Sequence, residues 1–450
     1  MSTHAIKHPT HHVGDPRPLG YGASRNQSGY LSDNGGVTTP NATALPVGSR
    51  ILHIGPPKTG TTALQAAFHL NRPQIESQGV HYASNGRHAM TAVLAAIDQP
   101  SPWSANRKPP AHWNWTRVLN DIRGAKADRV LLSSEFFADA APEAIARVVG
   151  ELDRDRTQVV VTLRPLARII PSQWQQFVQN QLVQPFDEWV DALVNQPRGA
   201  VTPVFWRRHR HDELVARWAE VLGPDRVTVV ALDDRDRDMV LRVFEQLTGL
   251  RDGTLVTEPD LANRSMTVPE IETIRAFNIA YRGMKLPGPL YSRIIRFGTA
   301  AHLLGRAPEP GEAKLQLPQA SIGRIEEIAA EMMANIRASG VHIVGDLDGL
   351  VAAGTGRAPD AAPVTVTPEV AARAAMGVLI ASGLVRGTGP ITTADEDAAA
   401  DGDRPLRPPR PVQEPAELMR IGTLQLGVVI VRRWRAAVVD RIRGLFRRGR

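Results

Sequence analysis

The sequence predicts an α/β protein whose core is a doubly wound parallel sheet. Apolar runs of strand length occur at residues 50–55, 129–137, 157–165 and 225–234. The third run, TQVVVTLRP, is almost entirely β-branched, as expected of a strand buried on both faces of a parallel sheet. Segments with helical periodicity alternate with these runs. That alternation is typical of a doubly wound sheet, in which ligands bind beyond the carboxyl ends of the strands.

Helix start and stop signals predict a helical C-terminal part. The helix in DMVLRVFEQLTGL is expected to stop at Gly249, and NRSMTVPEIETIRAFNIAYRG opens another helix. GRIEEIAAEMMANIRASGVHIVGD predicts one more helix and a final strand. In TPEVAARAAMGVLIASGL, Thr367 has the residue type of an N-cap and Pro368 occupies the first helical position.

Composition divides the chain of 450 residues into four parts. Residues 1–48 are rich in Gly, Pro, Ser, Asn and Thr and are expected to be disordered, and residues 49–386 form the α/β domain. Residues 387–415 have the composition of a Pro-rich linker, and residues 416–450 form a basic amphipathic helix. The chain has no cysteine, which excludes disulfides, thiolate zinc sites and a cysteine nucleophile.

The net charge of +7 is concentrated at the C-terminus, where residues 418–450 hold nine arginines and one acidic residue. The remainder is close to neutral, so no nucleic-acid partner is expected. Residues 1–30 lack the apolar core of a signal peptide, and the uncharged run 421–431 is too short to span a bilayer. We therefore expect a cytoplasmic protein. The basic helix can attach peripherally to anionic lipid at the inner face of the membrane, pack on its own domain, or remain a disordered tail.

The stretch IGPPKTGTTALQ, residues 54–65, has the setting of a phosphate-binding loop. Gly55 and Gly60 keep the glycine spacing of the nucleoside-triphosphate loop G-x-x-x-x-G-K-[ST], but Thr61 replaces its Lys and Lys58 lies inside the loop. Between a strand and a helix, such a loop presents N–H groups to an anion. The displaced Lys, and the lack of an Asp placed to hold Mg²⁺, favour a phosphosulfate over a magnesium–triphosphate complex. The alternative is a purely structural turn.

The loop resembles a known family. PPKTGTTAL is similar to the 5′-phosphosulfate loop of the sulfotransferases, PK-[ST]-GTT-x-L, and especially to PQKTGTTAL of the heparan N-deacetylase/N-sulfotransferases. This resemblance implies a P-loop-like fold, a sulfotransferase domain over residues 49–386, and 3′-phosphoadenosine 5′-phosphosulfate (PAPS) as co-substrate, with no metal. It also implies that the donor is bound by Pro57, Lys58, Thr59, Gly60, Thr61 and Thr62.

A second motif agrees with the first. The family binds the donor's 3′-phosphate with an Arg at the end of a strand and a Ser eight residues later on the next helix. Here Arg164 and Ser172 have that spacing. A guanidinium binds phosphate with two parallel hydrogen bonds, and a hydroxyl in the first helical turn adds a third. Taken singly, each residue has a plain alternative, a surface ion pair for Arg164 and a helix cap for Ser172.

The resemblance also indicates a general base. In this region the cytosolic sulfotransferases use a His and the heparan N-sulfotransferases a Glu, and LLSSEFF offers Glu135. Glu135 is the candidate that takes the proton from the attacking group; the alternatives are a helix cap or an ion pair with an Arg. The chain departs from the heparan enzymes at Gln176, where they have a His. In NRSM, Arg264 is either a second cation for the donor or part of a capped helix start.

These observations predict in-line sulfuryl transfer from PAPS to a hydroxyl or amine of a carbohydrate, lipid or small-molecule acceptor. Lys58 would neutralise the charge that develops on the leaving oxygen. Two other functions stay open, a degenerate P-loop kinase acting on a small molecule and a non-catalytic protein that binds a membrane surface. The tryptophans of residues 101–117 either stack on sugar rings or anchor the core.

Overall fold

The computed structural model describes residues 42–383, apart from 85, 102–107, 197–201, 258–263, 285–287, 355 and 357–363. These residues belong to the first of two compact units, Met1–Val385. Most of the N-terminal segment 1–48, the linker 387–415 and the basic segment 416–450 lie outside the described residues.

The described chain contains a six-stranded sheet in which every neighbouring pair of strands is parallel. The strand order is β2-β3-β1-β4-β5-β6, which confirms the predicted α/β class. The strands are β1 Arg50–Ile54, β2 Val80–Tyr82, β3 Arg129–Ser133, β4 Thr157–Leu163, β5 Val227–Ala231 and β6 His342–Val344. Strand β2, three residues long, was not predicted. The run 129–137 is a strand only to Ser133, and a 3₁₀ helix, Glu135–Asp139, follows it.

Helices cover both faces of the sheet. Along β1, Leu52 and Ile54 belong to one hydrophobic cluster, whereas Ile51 belongs to the other. Successive side chains of a strand point to opposite faces, so the two clusters lie on opposite sides of the sheet. The smaller cluster is formed mainly with α1 Thr61–Leu70 and α10 Met239–Thr248. A sheet buried on both sides is the physical meaning of a doubly wound fold.

The remaining helices of the sheet domain follow the predicted alternation. They are α2 Arg72–Glu76, α3 Met90–Ala96, α4 Trp113–Gly124, α5 Pro142–Glu151, α6 Leu166–Gln179, α7 Phe186–Asn195, α8 Pro203–His209 and α9 His211–Leu222. Short 3₁₀ turns lie at Arg154–Arg156 and Pro224–Arg226. Helix α10 ends at Gly249, which has the left-handed conformation (φ 72°) expected of a helix stop.

The C-terminal part is helical, as predicted. It contains α11 Val268–Gly283, α12 Gly288–Tyr291, a π-helix at Ser292–Ala300, α13 Ala301–Leu304, α14 Ile322–Ala338 and α15 Pro368–Ser382, with 3₁₀ turns at Gln319–Ser321 and Asp348–Leu350. The Thr367 hydroxyl accepts a hydrogen bond from the Val370 N–H, which confirms the predicted N-cap.

The π-helix was not predicted, and its position is fixed by close packing on α15. A Cβ placed on Gly298 would lie 2.6 Å from the Gly377 carbonyl oxygen, and one on Gly377 would lie 2.6 Å from Thr299 Cα. Only glycine permits so close an approach of two backbones. Continuous π-helix is rare and frequently marks a functional segment.

Candidate functional site

The candidate site lies at the carboxyl edge of three adjacent strands. The loop Gly55–Gly60 follows β1, Glu135 follows β3 and Arg164 follows β4. Strand β1 lies between β3 and β4, so the parallel sheet brings the three segments to one edge. The strands that follow β1 in the sequence lie on both sides of it, β2 and β3 on one side and β4 to β6 on the other. In doubly wound folds, a crevice opens at the carboxyl edge where the strand order reverses in this way.

The loop holds Lys58 in an unusual backbone conformation. The Thr59 N–H donates to the Pro56 carbonyl at 3.2 Å, which closes a tight turn through Pro57 and Lys58. Lys58 has φ 77°, in the left-handed region that glycine normally occupies. Pro followed by a residue of positive φ is the pattern of a type II turn. A Lys in this position costs about 1–3 kcal/mol, and such strain clusters at functional sites.

Backbone donors are available at the start of α1. In the described part of the chain, the N–H groups of Lys58, Gly60, Thr61 and Thr62 donate no hydrogen bond to another protein group. No side chain caps the helix, and Gly60 has a left-handed φ of 84°. These donors and the helix dipole together favour an anion at this point.

The three threonines of the loop have different surroundings. The Thr59 hydroxyl donates to the Pro56 carbonyl at 2.8 Å, and the Thr61 hydroxyl donates to the Gly55 carbonyl at 3.0 Å. Both side chains are buried, whereas Thr62 is exposed. The hydroxyls of Thr59 and Thr61 therefore stabilise the loop itself. Thr61 still offers its N–H group to a ligand, and Thr62 offers both its N–H and its hydroxyl.

Arg164 connects the end of β4 to the loop. Its Nε donates to Asp234, and its guanidinium also donates to the Lys58 carbonyl at 3.4 Å. Arg168 lies 3.2 Å from the same Asp234 carboxylate. Arg164 thus forms the ion pair that was its plain alternative, and the same bond holds its guanidinium beside the loop.

Ser172 lies on the helix that follows β4, as the motif predicts, but not in the first turn of that helix. Helix α6 begins at Leu166, directly after Pro165, so Ser172 is in its second turn and is neither a cap nor a first-turn residue. The expectation of a first-turn hydroxyl was wrong because Pro165 lets the helix begin almost at the end of β4. Ser172 is half-buried, and its hydroxyl donates no hydrogen bond within the described residues.

Like charges surround Lys58. Burial lowers the pKa of the Lys58 ammonium; the Glu135 carboxylate opposes this shift, while the Arg296 and Arg164 guanidiniums add to it. Arg296 comes from the π-helix and was not singled out in the sequence. Two further cations and one carboxylate act on Lys58, so the site has a positive potential that an anionic ligand would neutralise.

Glu135 is the first residue of the 3₁₀ helix and is not its cap. Ser134 is the N-cap, and its Oγ accepts from the Phe136 N–H at 3.3 Å. Burial raises the pKa of Glu135. Its own N–H, Arg208, Lys58 and Gln65 act in the opposite direction, because they stabilise the ionised carboxylate. Because a carboxylate with a raised pKa is a better proton acceptor, this environment suits a general base.

Arg208 is paired elsewhere. Its guanidinium makes a two-point contact with Asp139, at 2.8 and 2.5 Å, so it influences Glu135 without forming its ion pair. The cap and the Arg ion pair, the two structural alternatives for Glu135, are therefore both absent among the described residues.

Gln65 is a site residue that sequence reasoning missed. Its Nε2 donates to the Ser133 carbonyl at 3.0 Å, and its Oε1 lies 2.6 Å from His88 Nδ1. The Gln65 side chain also acts on the Glu135 carboxylate and lowers its pKa. The available signal was a polar residue on the buried face of α1, beside Leu64 and Phe68.

Two buried histidines, His209 and His211, lie within electrostatic range of the charged residues. Neither ring nitrogen of His209 has a hydrogen-bond partner in the described part of the chain, and the ring centroids of His209 and His211 are 6.0 Å apart. Burial lowers the pKa of His209, and the charges of His211, Arg208 and Lys58 act in the same direction. Burial also lowers the pKa of His211 to about 4. Both imidazoles are therefore neutral near neutral pH.

Other candidates are structural. The Trp115 side chain is buried and its Nε1 donates to Glu151 at 2.6 Å, which anchors the core. Trp113 is 57% exposed, so stacking on a ligand remains open for it alone among the described tryptophans of that segment. Arg264 donates to Glu270 at 2.8 Å, and Glu270 accepts from the N–H of Thr267, the N-cap of α11. Arg264 thus supports a capped helix start.

Within residues 42–383, apart from the gaps given above, no group of three or more His, Asp or Glu side chains is arranged to hold a metal ion. In the same part of the chain no helix has both the length and the apolar character needed to cross a bilayer.

Comparison with known proteins gives a weak structural likeness. No family model matches the chain, and no curated protein matches it. Among solved structures, the chain is similar to a sulfotransferase from Alicyclobacillus acidocaldarius at 18% sequence identity with a TM-score of 0.35. The similarity covers 58% of this chain and 99% of that one. So distant a likeness carries no conclusion about chemistry, which has to rest on the residues of the site.

Proposed function

We propose that the protein transfers a sulfuryl group from PAPS to a hydroxyl or amine. The observation that carries this proposal is the environment of Lys58. Lys58 has a strained backbone conformation and lies beside N–H groups that donate to no protein acceptor in the described residues. It also interacts electrostatically with Arg164, Arg296 and the carboxylate of Glu135. Cations and N–H groups suit the phosphosulfate, and a carboxylate of raised pKa suits the acceptor proton.

The surrounding acids favour this chemistry over a magnesium-dependent kinase. Asp234, beyond β5, is bonded to Arg164 and lies beside Arg168, and Asp233 is bonded to Arg235 at 2.8 Å. Both carboxylates are therefore held by arginines, whereas a kinase needs carboxylates directed at Mg²⁺. The only Lys of the loop, Lys58, also precedes the second glycine, unlike the Lys of triphosphate loops.

In the proposed reaction, the acceptor oxygen or nitrogen forms a bond to sulfur while the bond from sulfur to the bridging oxygen breaks. Glu135 takes the acceptor proton. Lys58 stabilises the negative charge on the departing adenosine 3′,5′-bisphosphate, and the loop N–H groups and Arg164 hold its phosphates. Gln65, whose side chain acts on the Glu135 carboxylate, helps to keep that carboxylate ionised. Ser172 remains a proposed contact for the 3′-phosphate.

The donor is tested by ligand-induced stabilisation, measured as a shift in melting temperature. Adenosine 3′,5′-bisphosphate should stabilise the protein more than adenosine 5′-monophosphate does, and ATP with Mg²⁺ should stabilise it least. The opposite order, with ATP–Mg²⁺ as the strongest ligand, would favour the kinase. No response to any of the three would favour a non-catalytic role.

The reaction is tested by incubating the protein with ³⁵S-labelled PAPS and pooled acceptors, followed by mass analysis of the labelled product. Carbohydrates, lipids and small molecules with free hydroxyls or amines make up the pool. Glu135→Gln should lower turnover by about 10²- to 10⁴-fold and leave bisphosphate binding intact, since it removes a base and keeps the shape. Normal turnover by that variant at all pH values would place the base elsewhere.

We also propose that residues 416–450 attach the protein peripherally to anionic lipid. Val431, Trp434, Val438 and Ile442 recur at three- and four-residue steps among arginines. Each basic residue near anionic headgroups contributes about 1 kcal/mol, so binding should be strong at low salt and weak at high salt. Co-sedimentation with phosphatidylserine vesicles compares the full chain with a chain ending at residue 415. If both proteins remain in the supernatant at low salt, the proposed attachment is wrong.

A further inference from the structure

A chain of buried polar side chains runs beneath the loop. His53, on β1, contacts Ser133 Oγ through Nδ1 at 2.7 Å and Thr162 Oγ1 through Nε2 at 3.0 Å. Thr162, on β4, contacts Thr59 Oγ1 at 3.0 Å, and the Thr59 hydroxyl donates to the Pro56 carbonyl at 2.8 Å. All four side chains are at least 99% buried.

The direction of every hydrogen bond in this chain is determined. The Pro56 carbonyl can only accept, so the single hydroxyl proton of Thr59 is committed to it, and Thr59 must accept from Thr162. Thr162 has then used its own proton and must accept from His53, which requires a proton on Nε2. His53 Nδ1 is left without a proton and accepts from the Ser133 hydroxyl. One tautomer of His53 satisfies every group.

This series of hydrogen bonds ends at the turn that contains Lys58. Pro56 accepts both the N–H and the hydroxyl of Thr59, and Lys58 lies between these two residues with its left-handed φ of 77°. A strained conformation persists only where its surroundings over-determine it. The Thr59 hydroxyl supplies that constraint, and it is oriented from below by Thr162 and His53. At the other end, Ser133 lies two residues before Glu135 on the same strand exit.

We propose that His53, as the Nε2–H tautomer, is a positioning residue that holds Lys58 in its strained conformation through Thr162 and Thr59. His53 is fully buried, so it acts through the loop and not on the reacting atoms. Its role in turnover rests on the proposed sulfuryl transfer; its tautomer and its effect on the loop do not.

The tautomer is tested by ¹⁵N NMR of the full chain with labelled histidine. His53 should show a protonated Nε2 and an unprotonated Nδ1, and neither signal should titrate between about pH 5 and 8, the range in which exposed histidines change charge. Burial, which lowers the pKa of His53 to about 3, agrees with that expectation. A protonated Nδ1, or titration near pH 6.5, would overturn the proposed chain of hydrogen bonds.

The effect on the loop is tested with isosteric variants of Thr162. Thr162→Val removes the hydroxyl, whereas Thr162→Ser retains it. The valine variant should lower kcat by roughly 10- to 100-fold, the scale of a misplaced catalytic group, and the serine variant should restore most of it. Thr157→Val is the matched control, because Thr157 is equally buried at the opposite end of β4 and donates to Asp153. Equal losses of kcat in Thr162→Val and Thr157→Val would show a merely structural role.

A double-variant cycle identifies Lys58 as the residue acted upon. His53→Phe should reduce kcat in the wild-type background and have no further effect in Lys58→Met, because the positioned group is already absent. Additive losses would show that His53 acts by another route and would overturn the proposal. Should the wild type transfer no sulfuryl group, the cycle is run on the affinity for inorganic sulfate. The expected non-additivity is the same, so the positioning role is judged separately from the reaction.

Discussion

The loop site and the helical C-terminal part both bury charged side chains, but they neutralise them differently. Arg306, 3% exposed, is surrounded by carboxylates, with Glu270 at 2.6 Å, Glu369 at 3.3 Å and Glu312 in direct contact. A hydrogen bond from Arg306 is the main cause that lowers the pKa of Glu312 to about 2. Lys58, in contrast, has one carboxylate and two cations acting on it.

We infer from this difference that the charges around Arg306 stabilise the fold, whereas the charges around Lys58 serve to bind a ligand. Around Arg306 each buried charge has a partner of opposite sign from the protein, so the network is complete without a ligand. Around Lys58 the like charges destabilise one another, and N–H donors next to them have no acceptor in the described part of the chain. A folded protein retains such a cluster where a ligand of opposite charge completes it.

The largest expected effect is on stability, and it comes from replacing Arg306. Arg306→Met should lower the free energy of unfolding by about 3–5 kcal/mol, because Glu270 and Glu312 would remain buried without their cation. The affinity of the folded protein for adenosine 3′,5′-bisphosphate should not change. Urea denaturation and calorimetric titration measure the two quantities. A variant of wild-type stability would show that the network is not what holds this part together.

Lys58→Met should give the opposite pattern. Removing a cation aimed at the leaving oxygen should reduce kcat by about 10²- to 10³-fold, the usual effect of losing one donor to a developing charge. The melting temperature should stay the same or rise, since a desolvated cation and its repulsion with Arg164 and Arg296 disappear. Steady-state kinetics and thermal denaturation test this pair of results. Near-full activity would remove Lys58 from the reaction centre.

A smaller effect is expected from the arginine at the end of β4. Arg164→Ala should weaken binding of adenosine 3′,5′-bisphosphate by about 1.5–3 kcal/mol for each hydrogen bond lost to a charged group. Arg168→Ala is the control, because Arg168 contacts the same Asp234 but is exposed. Calorimetric titration should show a change for the first variant only. Equal affinity for nucleotides with and without the 3′-phosphate would contradict the role assigned to Arg164.

The smallest effect per group concerns pH. Burial lowers the pKa of His53 to about 3 and of His211 to about 4, and His209 is lowered as well. As pH falls below the unfolded value of about 6.5, the unfolded chain takes up protons that the folded chain does not. Stability should thus fall by about 1.4 kcal/mol per pH unit for each histidine.

Glu135 has the opposite sign, because its pKa is raised on folding. Its contribution therefore offsets part of the histidine effect as the pH approaches its folded pKa. Denaturation at a series of pH values between about 6.5 and 4 tests the balance, with His53→Phe as the comparison. That variant should show a slope shallower by one proton. An unchanged slope would mean that His53 titrates in the folded protein.

The sequence alone determined the parts whose signal is local. Five of the six strands were predicted from short apolar runs, and the stop at Gly249 and the cap at Thr367 from residue type. Lys58, Glu135 and Arg164 were chosen as candidates through the resemblance to sulfotransferase motifs, each at or near the end of a predicted strand. Parallel strands end at one edge of a sheet, so adjacency in the fold followed from position in the sequence.

The tertiary structure decided what depends on distant segments. Arg296 acts electrostatically on Lys58 from a π-helix more than two hundred residues later in the chain, and the polar neighbours of Gln65, His53 and His209 come from other elements. The start of α6 at Leu166 placed Ser172 in the second helical turn, where a first-turn hydroxyl had been expected. Periodicity and residue type indicate which face of a segment packs against the core. They do not indicate which charged residues of other segments lie beside that segment. That is why the loop could be recognised in the sequence, while the chain of hydrogen bonds from His53 to Thr59 could not.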